Sequence, residues 1–195
     1  MRSLRVRTLG LISCCLLCAC GASPPTRFYL LNVLGSDSTA VTDTSANDAI
    51  PVRVEAVAIP PELDRLELVS HRGANAVHVA QSARWAAPLD EQIRRVLSDD
   101  LAARLPARLL ADPNEPSTQD PRRTLSVSIG QFDVSESCAV TLNASWLLHT
   151  PHAASQNGIE HIQQAAAGTC PDDMAAAMSR ALAALADRLA PIVRH

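Results

Sequence analysis

Leu89, Ile93, Val96, Leu97, Leu101 and Leu105 recur at steps of three and four residues. That spacing puts all six on one face of a helix. Pro88 suits the first helical position, where its missing N–H costs nothing. Asp90 and Glu91 follow in the first turn, beside the positive end of the helix dipole. Extended segments flank this helix: Val52–Ile59, Leu66–Val69 and Ala76–Ala80 before it, Leu125–Val134 and Val140–Leu148 after it. A helix with one apolar face, set between two groups of strands, must lay that face on their sheet. A second helix opens at Pro171, with Met174, Met178, Leu182, Leu185, Leu189 and Ile192 as its buried stripe. The expected fold is α/β: a single domain with a mixed, mostly antiparallel sheet and two main helices packed on it.

The remaining segments fill in that plan. Arg27–Leu31 reads as a strand, and Gly35–Asp48 reads as a mobile loop of Ser, Thr, Asp, Asn and Ala. Leu66–Val69 and Ala76–Ala80 pair across the turn-rich Arg72–Asn75. Pro106–Leu110 adds a short strand, and Asp112–Ser117 makes a surface loop. A turn at Thr150–Gly158 leads into a weaker strand, Ile159–Ala167. The chain has 195 residues and only five aromatics, Phe28, Tyr29, Trp85, Phe132 and Trp146. The core must therefore come from Leu, Val, Ile and Ala.

The N-terminus is an address. Arg2, Arg5 and Arg7 precede an uncharged apolar run from Thr8 to Cys18, too short to span a bilayer and suited to a secretory signal. The run ends in Leu17-Cys18-Ala19-Cys20-Gly21, which resembles a bacterial lipobox with Cys20 as the lipid-modified residue. Leu11-Ile12-Ser13-Cys14 would leave too short an apolar run. Residues 1–19 are then a signal peptide, 20–26 a membrane tether and 27–195 the domain. Three acyl chains on one cysteine exceed what stable anchoring needs. Gly21 rather than Asp after the anchor favours the outer membrane, with the domain facing the periplasm. Removal of the signal leaves 14 basic against 20 acidic side chains, a net charge of −6, and no basic stripe. Nucleic acid is thereby excluded as a partner class.

Chemistry-bearing clusters are few. Cys138 and Cys170 lie equally far from the centre of the expected turn at Ala154, and an exported domain suits a disulfide between them. His149, His152 and His161 flank that turn, but their spacing fits no zinc pattern, and a solvated polar turn is the better reading. No metal and no cofactor is expected. Ser70 and His71 offer hydrolase residue types, yet there is no Gly-x-Ser-x-Gly elbow and no Gly-rich phosphate loop. No enzyme is expected. Trp85, Pro88 and Leu89 could dock a partner, although a Trp such as Trp85 or Trp146 more often plugs a core. Arg94, Arg95, Asp99 and Asp100 read as a solvated helix face or an oligomer contact.

Taken in order, the lipobox, Arg27-Phe28-Tyr29-Leu30-Leu31, Val54–Pro60, Arg84-Trp85-Ala86-Ala87-Pro88-Leu89-Asp90, Leu125–Phe132 and Leu142–Leu148 resemble the PqiC/YmbA-type lipoproteins. These are auxiliary components of ABC-type or MCE-type transport systems in bacterial envelopes. The resemblance covers nearly the whole mature chain. Glu62-Leu63-Asp64-Arg65 and the cysteine pair depart from the family pattern. The resemblance implies a homo-oligomeric outer-membrane lipoprotein that docks on a periplasmic MCE-domain protein, with an inner-membrane permease completing a path for lipid or other apolar cargo. The alternative is a structural lipoprotein assembling a different secretion or lipopolysaccharide-assembly machine.

Overall fold

The computed structural model describes residues 24–35, 50–73, 75–106, 109–110, 123–135, 139–168 and 170–194. The signal, Cys20, the loop at 36–49, Asp112–Ser117 and Cys138 lie outside the described residues. Seven strands form one sheet: β1 (Arg27–Tyr29), β2 (Val52–Ala58), β3 (Glu67–Arg72), β4 (Ala76–Trp85), β5 (Arg123–Val134), β6 (Ala139–His149) and β7 (Gln156–Ala165). Two helices, α1 (Leu89–Ala102) and α2 (Pro171–Arg194), complete the described elements. The fold is the expected mixed α/β domain.

Strand order is β1-β4-β3-β5-β6-β7, and β2 also pairs with β5. The long ladders β3–β4, β5–β6 and β6–β7 are antiparallel, whereas β1–β4 and β2–β5 are parallel. β5 sits in the middle because it alternates cleanly. Leu125, Val127 and Ile129 are buried, while Ser126 and Ser128 between them face outward. A register shift between Ile129 and Gln131 then re-aims the strand at Gly130. A second shift, between Val54 and Val57, lets both of these valines point inward despite their odd spacing.

The apolar stripes of α1 and α2 meet this inner sheet face and each other. Ile93, Val96, Leu97 and Leu101 are fully buried, as are Leu182, Leu185 and Leu189. Each such Leu, Ile or Val contributes roughly 1.5–3 kcal/mol by leaving water. Pro88 lies one position earlier than expected, as the N-cap of α1, and its carbonyl accepts the first helical bond from Gln92 at 3.1 Å. The regular helix stops at Ala102, but Leu105 N–H still donates to Leu101 O at 2.9 Å, so Leu105 stays in the core.

Two boundaries differ from the sequence expectation. β4 runs five residues past Ala80 because β1 and β3 both pair with its far end, at Ala83–Trp85 and Arg84. Sequence windows cannot see that support. The β6–β7 ladder pairs Leu148 with Gln156, which centres the turn on His152 rather than Ala154. His152 takes the left-handed conformation there, with φ of 60°. The shift removes the symmetry that the expected turn gave to Cys138 and Cys170. Between Pro106 and Leu110 the described structure holds one parallel bridge, Leu110 to Val52.

Gly158 lies opposite Trp146, and a Cβ there would come within 2.7 Å of the indole ring. The rigid ring cannot give way without leaving its site. Gly158→Ala is expected to destabilise the domain by about 1–3 kcal/mol. Thermal melting tests this: the midpoint should fall by roughly 3–10 °C, and an unchanged midpoint would show that the ring relocates freely.

Candidate functional site: the N-terminal clamp and the outer sheet surfaces

The backbone leaving β1 has no strand neighbour, so its polar groups need other partners. Side chains of α1 and α2 supply them. Leu31 N–H donates to Gln92 Oε1 at 2.9 Å, and Arg95 Nη2 donates to Leu31 O at 3.3 Å. Asn32 N–H donates to Ser179 Oγ at 3.0 Å. Leu34 N–H donates to Asp100 Oδ1 at 3.0 Å, and Arg104 Nη2 donates to Leu34 O at 3.3 Å. Gln92 is itself fixed, because its Nε2 donates to Ala87 O at 2.8 Å. The first residues after the expected tether are thus clamped onto both helices.

Asp100 is central to this clamp. The expected solvated face does not hold for it, since it is fully buried. The reason is visible on the helix: Asp100 follows Val96 by four residues and Ile93 by seven, and Arg104 follows Leu97 by seven. Both charges lie inside the apolar stripe. Arg104 Nη1 donates to Asp100 Oδ1 at 3.1 Å and to Asp100 O at 2.7 Å, while its Nε donates to Asp187 Oδ1 on α2 at 2.6 Å. Burial pushes the Asp100 carboxyl above its ordinary range. The Arg104 charge and the Leu34 hydrogen bond only partly oppose that. Asp100 Oδ2 is buried with no hydrogen-bond partner among the described residues. Arg95 and Asp99, by contrast, form an exposed pair at 3.8 Å, as a solvated face would.

The opposite sheet face is polar. A hydrogen-bonded chain crosses it from β3 to β7. His71 Nδ1 contacts Asp133 Oδ2, and Gln131 Nε2 donates to Asp133 Oδ1 at 3.0 Å. Asn143 Nδ2 donates to Gln131 Oε1 at 2.9 Å, and His161 Nδ1 meets Asn143 Oδ1. Leu147 and Ile159, diagonal neighbours on β6 and β7, stand on the same face as exposed apolar side chains. Two clefts are described. One, of about 390 Å³, runs along the outer side of α1 past Glu91, Arg94, Arg95 and Asp99. The other, of about 310 Å³, lies between the β3–β4 hairpin and the start of α2, lined by Ser70, Arg72, His78, Ser135 and Met174. Polar side chains dominate both.

Of the residues singled out from sequence, Trp85 and Leu89 are each 3% exposed and belong to the core, while Pro88 is on the surface. Trp146 is also buried, on Gly158. Cys170 is an exposed free thiol that donates to Asp173 Oδ2 at 2.8 Å, and its expected partner Cys138 lies outside the described residues. His149 contacts Ser155 and His161 contacts Asn143, so the three turn histidines do not converge. Among the described residues no three metal-ligating side chains share a site. Sequence reasoning misses the clamp because charge alone sends Asp100 to the surface and leaves Arg104 unremarked. Their place in the apolar stripe is the available signal.

Residues 29–190 match the model of a family described as the ABC-type transport auxiliary lipoprotein component. The chain is 30% identical over 123 residues to the intermembrane transport lipoprotein PqiC of Escherichia coli K12, a match spanning 63% of each chain. PqiC of Shigella flexneri matches to the same extent. In fold, the chain resembles a crystal structure of a protein of uncharacterised function, with a TM-score of 0.72 at 22% identity, covering 87% of this chain and 99% of the other. The Xanthomonas campestris protein XCC0632 is similar at a TM-score of 0.64 and 15% identity, covering 87% and 93%.

Two variants test the clamp. Asp100 holds its proton more tightly folded than unfolded. Wild-type stability relative to Asp100→Asn should therefore be greatest below the ordinary aspartate pKa of 3.8. It should decline as pH rises through the folded value and then level off. Urea unfolding from pH 3 to 8 measures this, and a pH-independent difference would contradict the assignment. Gln92→Ala leaves the Leu31 N–H without its acceptor and should cost about 1–3 kcal/mol. Hydrogen exchange at Leu31 should accelerate accordingly.

Proposed function

The chain belongs to the family of ABC-type transport auxiliary lipoprotein components, and from that premise we propose that it is an outer-membrane-anchored accessory part of an MCE-type transport system. The family is a transport family and not an enzyme family, so the work to be explained is anchoring and docking. In this reading Cys20 carries the acyl chains and the domain faces the periplasm. A periplasmic MCE-domain protein, part of an inner-membrane transport system, docks on it. Copies of the chain assemble around that partner, and lipid or other apolar cargo passes between the membranes, supporting envelope integrity.

The observation that carries this reading is the clamp. The family match begins at Tyr29, where the chain is already held by β4, α1 and α2. From Cys20 to Arg27 is seven residues, which reach at most about 25 Å when extended. A tether that short, ending in a fixed segment, keeps the domain close to the membrane and restricts its orientation. That suits a docking platform at one membrane for a partner rooted in the other. Among the described residues no helix is long and apolar enough to cross a membrane, which agrees with anchoring by lipid.

Two measurements test the proposal. Cys20→Ser should move the protein from the membrane fraction to the soluble periplasmic fraction. Crosslinked purification from envelopes, with a tag after His195, should recover an MCE-domain protein. Recovery of a different assembly machine without any MCE-domain protein would overturn the transport reading and leave an anchored α/β lipoprotein of another kind.

A further inference from the structure

The strands at the two ends of the strand order, β7 and β4 with its short cover β1, are treated differently. β7, at one end, is guarded by α2. Arg188 Nη1 donates to His161 O at 3.1 Å and to Glu160 Oε2 at 2.7 Å, and Arg180 Nη2 donates to Ala165 O at 2.9 Å. Two arginines thus occupy carbonyls of β7 that could otherwise recruit a strand. At the other end, β1 covers β4 only at Ala83, Arg84 and Trp85. From Ala76 to Ser82 the outer edge of β4 has no strand beside it among the described residues. It carries no proline, lysine or acidic residue, and Val77 is 48% exposed.

The chain itself comes close to covering this edge and is prevented. β1 runs parallel to β4, with Arg27 opposite Ala83. Continued backwards in the same register, Thr26 would face Ser82, Pro25 would face Gln81 and Pro24 would face Ala80. Along a strand alternate N–H groups point at one neighbour. Two consecutive prolines therefore remove one donor facing β4, whatever the phase. Pro24–Thr26 are accordingly exposed and outside the ladder.

Charge narrows the occupant. The mature chain is expected to be acidic, with 14 basic and 20 acidic side chains. Within β1, β3 and β4 the balance is reversed: Arg27, Arg72 and Arg84 stand against the single Glu67. Glu67 is already paired, to Arg84 at 3.1 Å. Arg27, Arg72 and His78 are exposed on these strands, Arg72 and His78 on the face that turns toward the start of α2. A second copy of an acidic chain could present its own edge only by bringing these arginines against each other.

We propose that the outer edge of β4, Ala76–Ser82, is a strand-addition site for an extended, acidic segment of a partner protein. Main-chain hydrogen bonds to β4 would supply affinity, and Arg27 and Arg72 would select for carboxylates on the incoming strand. The inference extends the docking role argued above and names the surface that performs it.

The test is site-specific photocrosslinking in intact envelopes, using the full acylated chain with a photoreactive side chain in place of Val77 or Gln81. The expected product joins this chain to a second protein, within a peptide of extended, acidic sequence. His78→Pro and Val79→Pro, within the regular part of the ladder, should behave unequally, since one removes an outward donor and the other a donor to β3. The variant that keeps the wild-type melting midpoint should lose at least tenfold of the crosslink. Arg27→Glu combined with Arg72→Glu should reduce it similarly. A product with a second copy of this chain, or with its own residues 20–26, would overturn the proposal, as would unchanged crosslinking after charge reversal. Absence of any edge product would do so too. If tag purification still recovers an MCE-domain protein while the edge stays unlinked, the transport reading stands and only the docking surface fails.

Discussion

A buried ion pair that also holds backbone is the constraint on which this fold depends. Asp100 lies in the last turn of α1 and Arg104 four residues on, just past its end; both side chains are enclosed, and neither is satisfied by the other alone. Burying two charges costs several kcal/mol per ion unless further hydrogen bonds compensate. Here the compensation comes from three separate parts of the chain: the Leu34 backbone, the Asp100 carbonyl and Asp187 of α2. The pair therefore joins α1, α2 and the N-terminal segment at one point. A hydrophobic replacement could fill the same space but would leave the Leu34 N–H and carbonyl unpaired. Raised proton affinity at Asp100 is the cost of that arrangement, and it marks where water has been excluded.

This junction explains why so short an N-terminal strand persists. β1 has three residues, well below the length at which a strand is stable by its own ladder. The run of side-chain bonds from Leu31 to Leu34 holds it instead. The same run fixes an otherwise exposed segment on the two helices, with Leu31 buried in the core.

The sequence made the layer architecture legible because α1, α2, β5 and β6 carry strong periodic patterns. Alternation in Leu125–Ile129 and the 3.6-residue stripe of α1 each have one simple reading. The ends of β4 and the β6–β7 register were not legible, since both depend on partners distant in sequence. β4 is extended by β1, some fifty residues upstream. The turn at His152 uses a left-handed residue that is not Gly, so the usual turn signal pointed elsewhere. For the candidate site the contrast is sharper. Residue types left Trp85 and Leu89 open between a docking surface and the core, and packing places both in the core. Conversely, charge alone assigns Asp100 to solvent, although its position on the helix required burial.

The outer sheet face decides how a domain like this can bind anything. An apolar face would invite non-specific association, whereas here the polar groups of that face are paired with one another. Asn143, Gln131 and Asp133 each point their hydrogen bonds along the sheet, and every amide in the chain donates toward Asp133. Removing any member to make room for a ligand would leave the next one unsatisfied, at about 1–3 kcal/mol. Recognition through this face is therefore costly, and the β7 edge is occupied by arginines. The β4 edge differs from both: from Ala76 to Ser82 it has no strand beside it among the described residues, and the chain's own prolines keep β1 from extending along it.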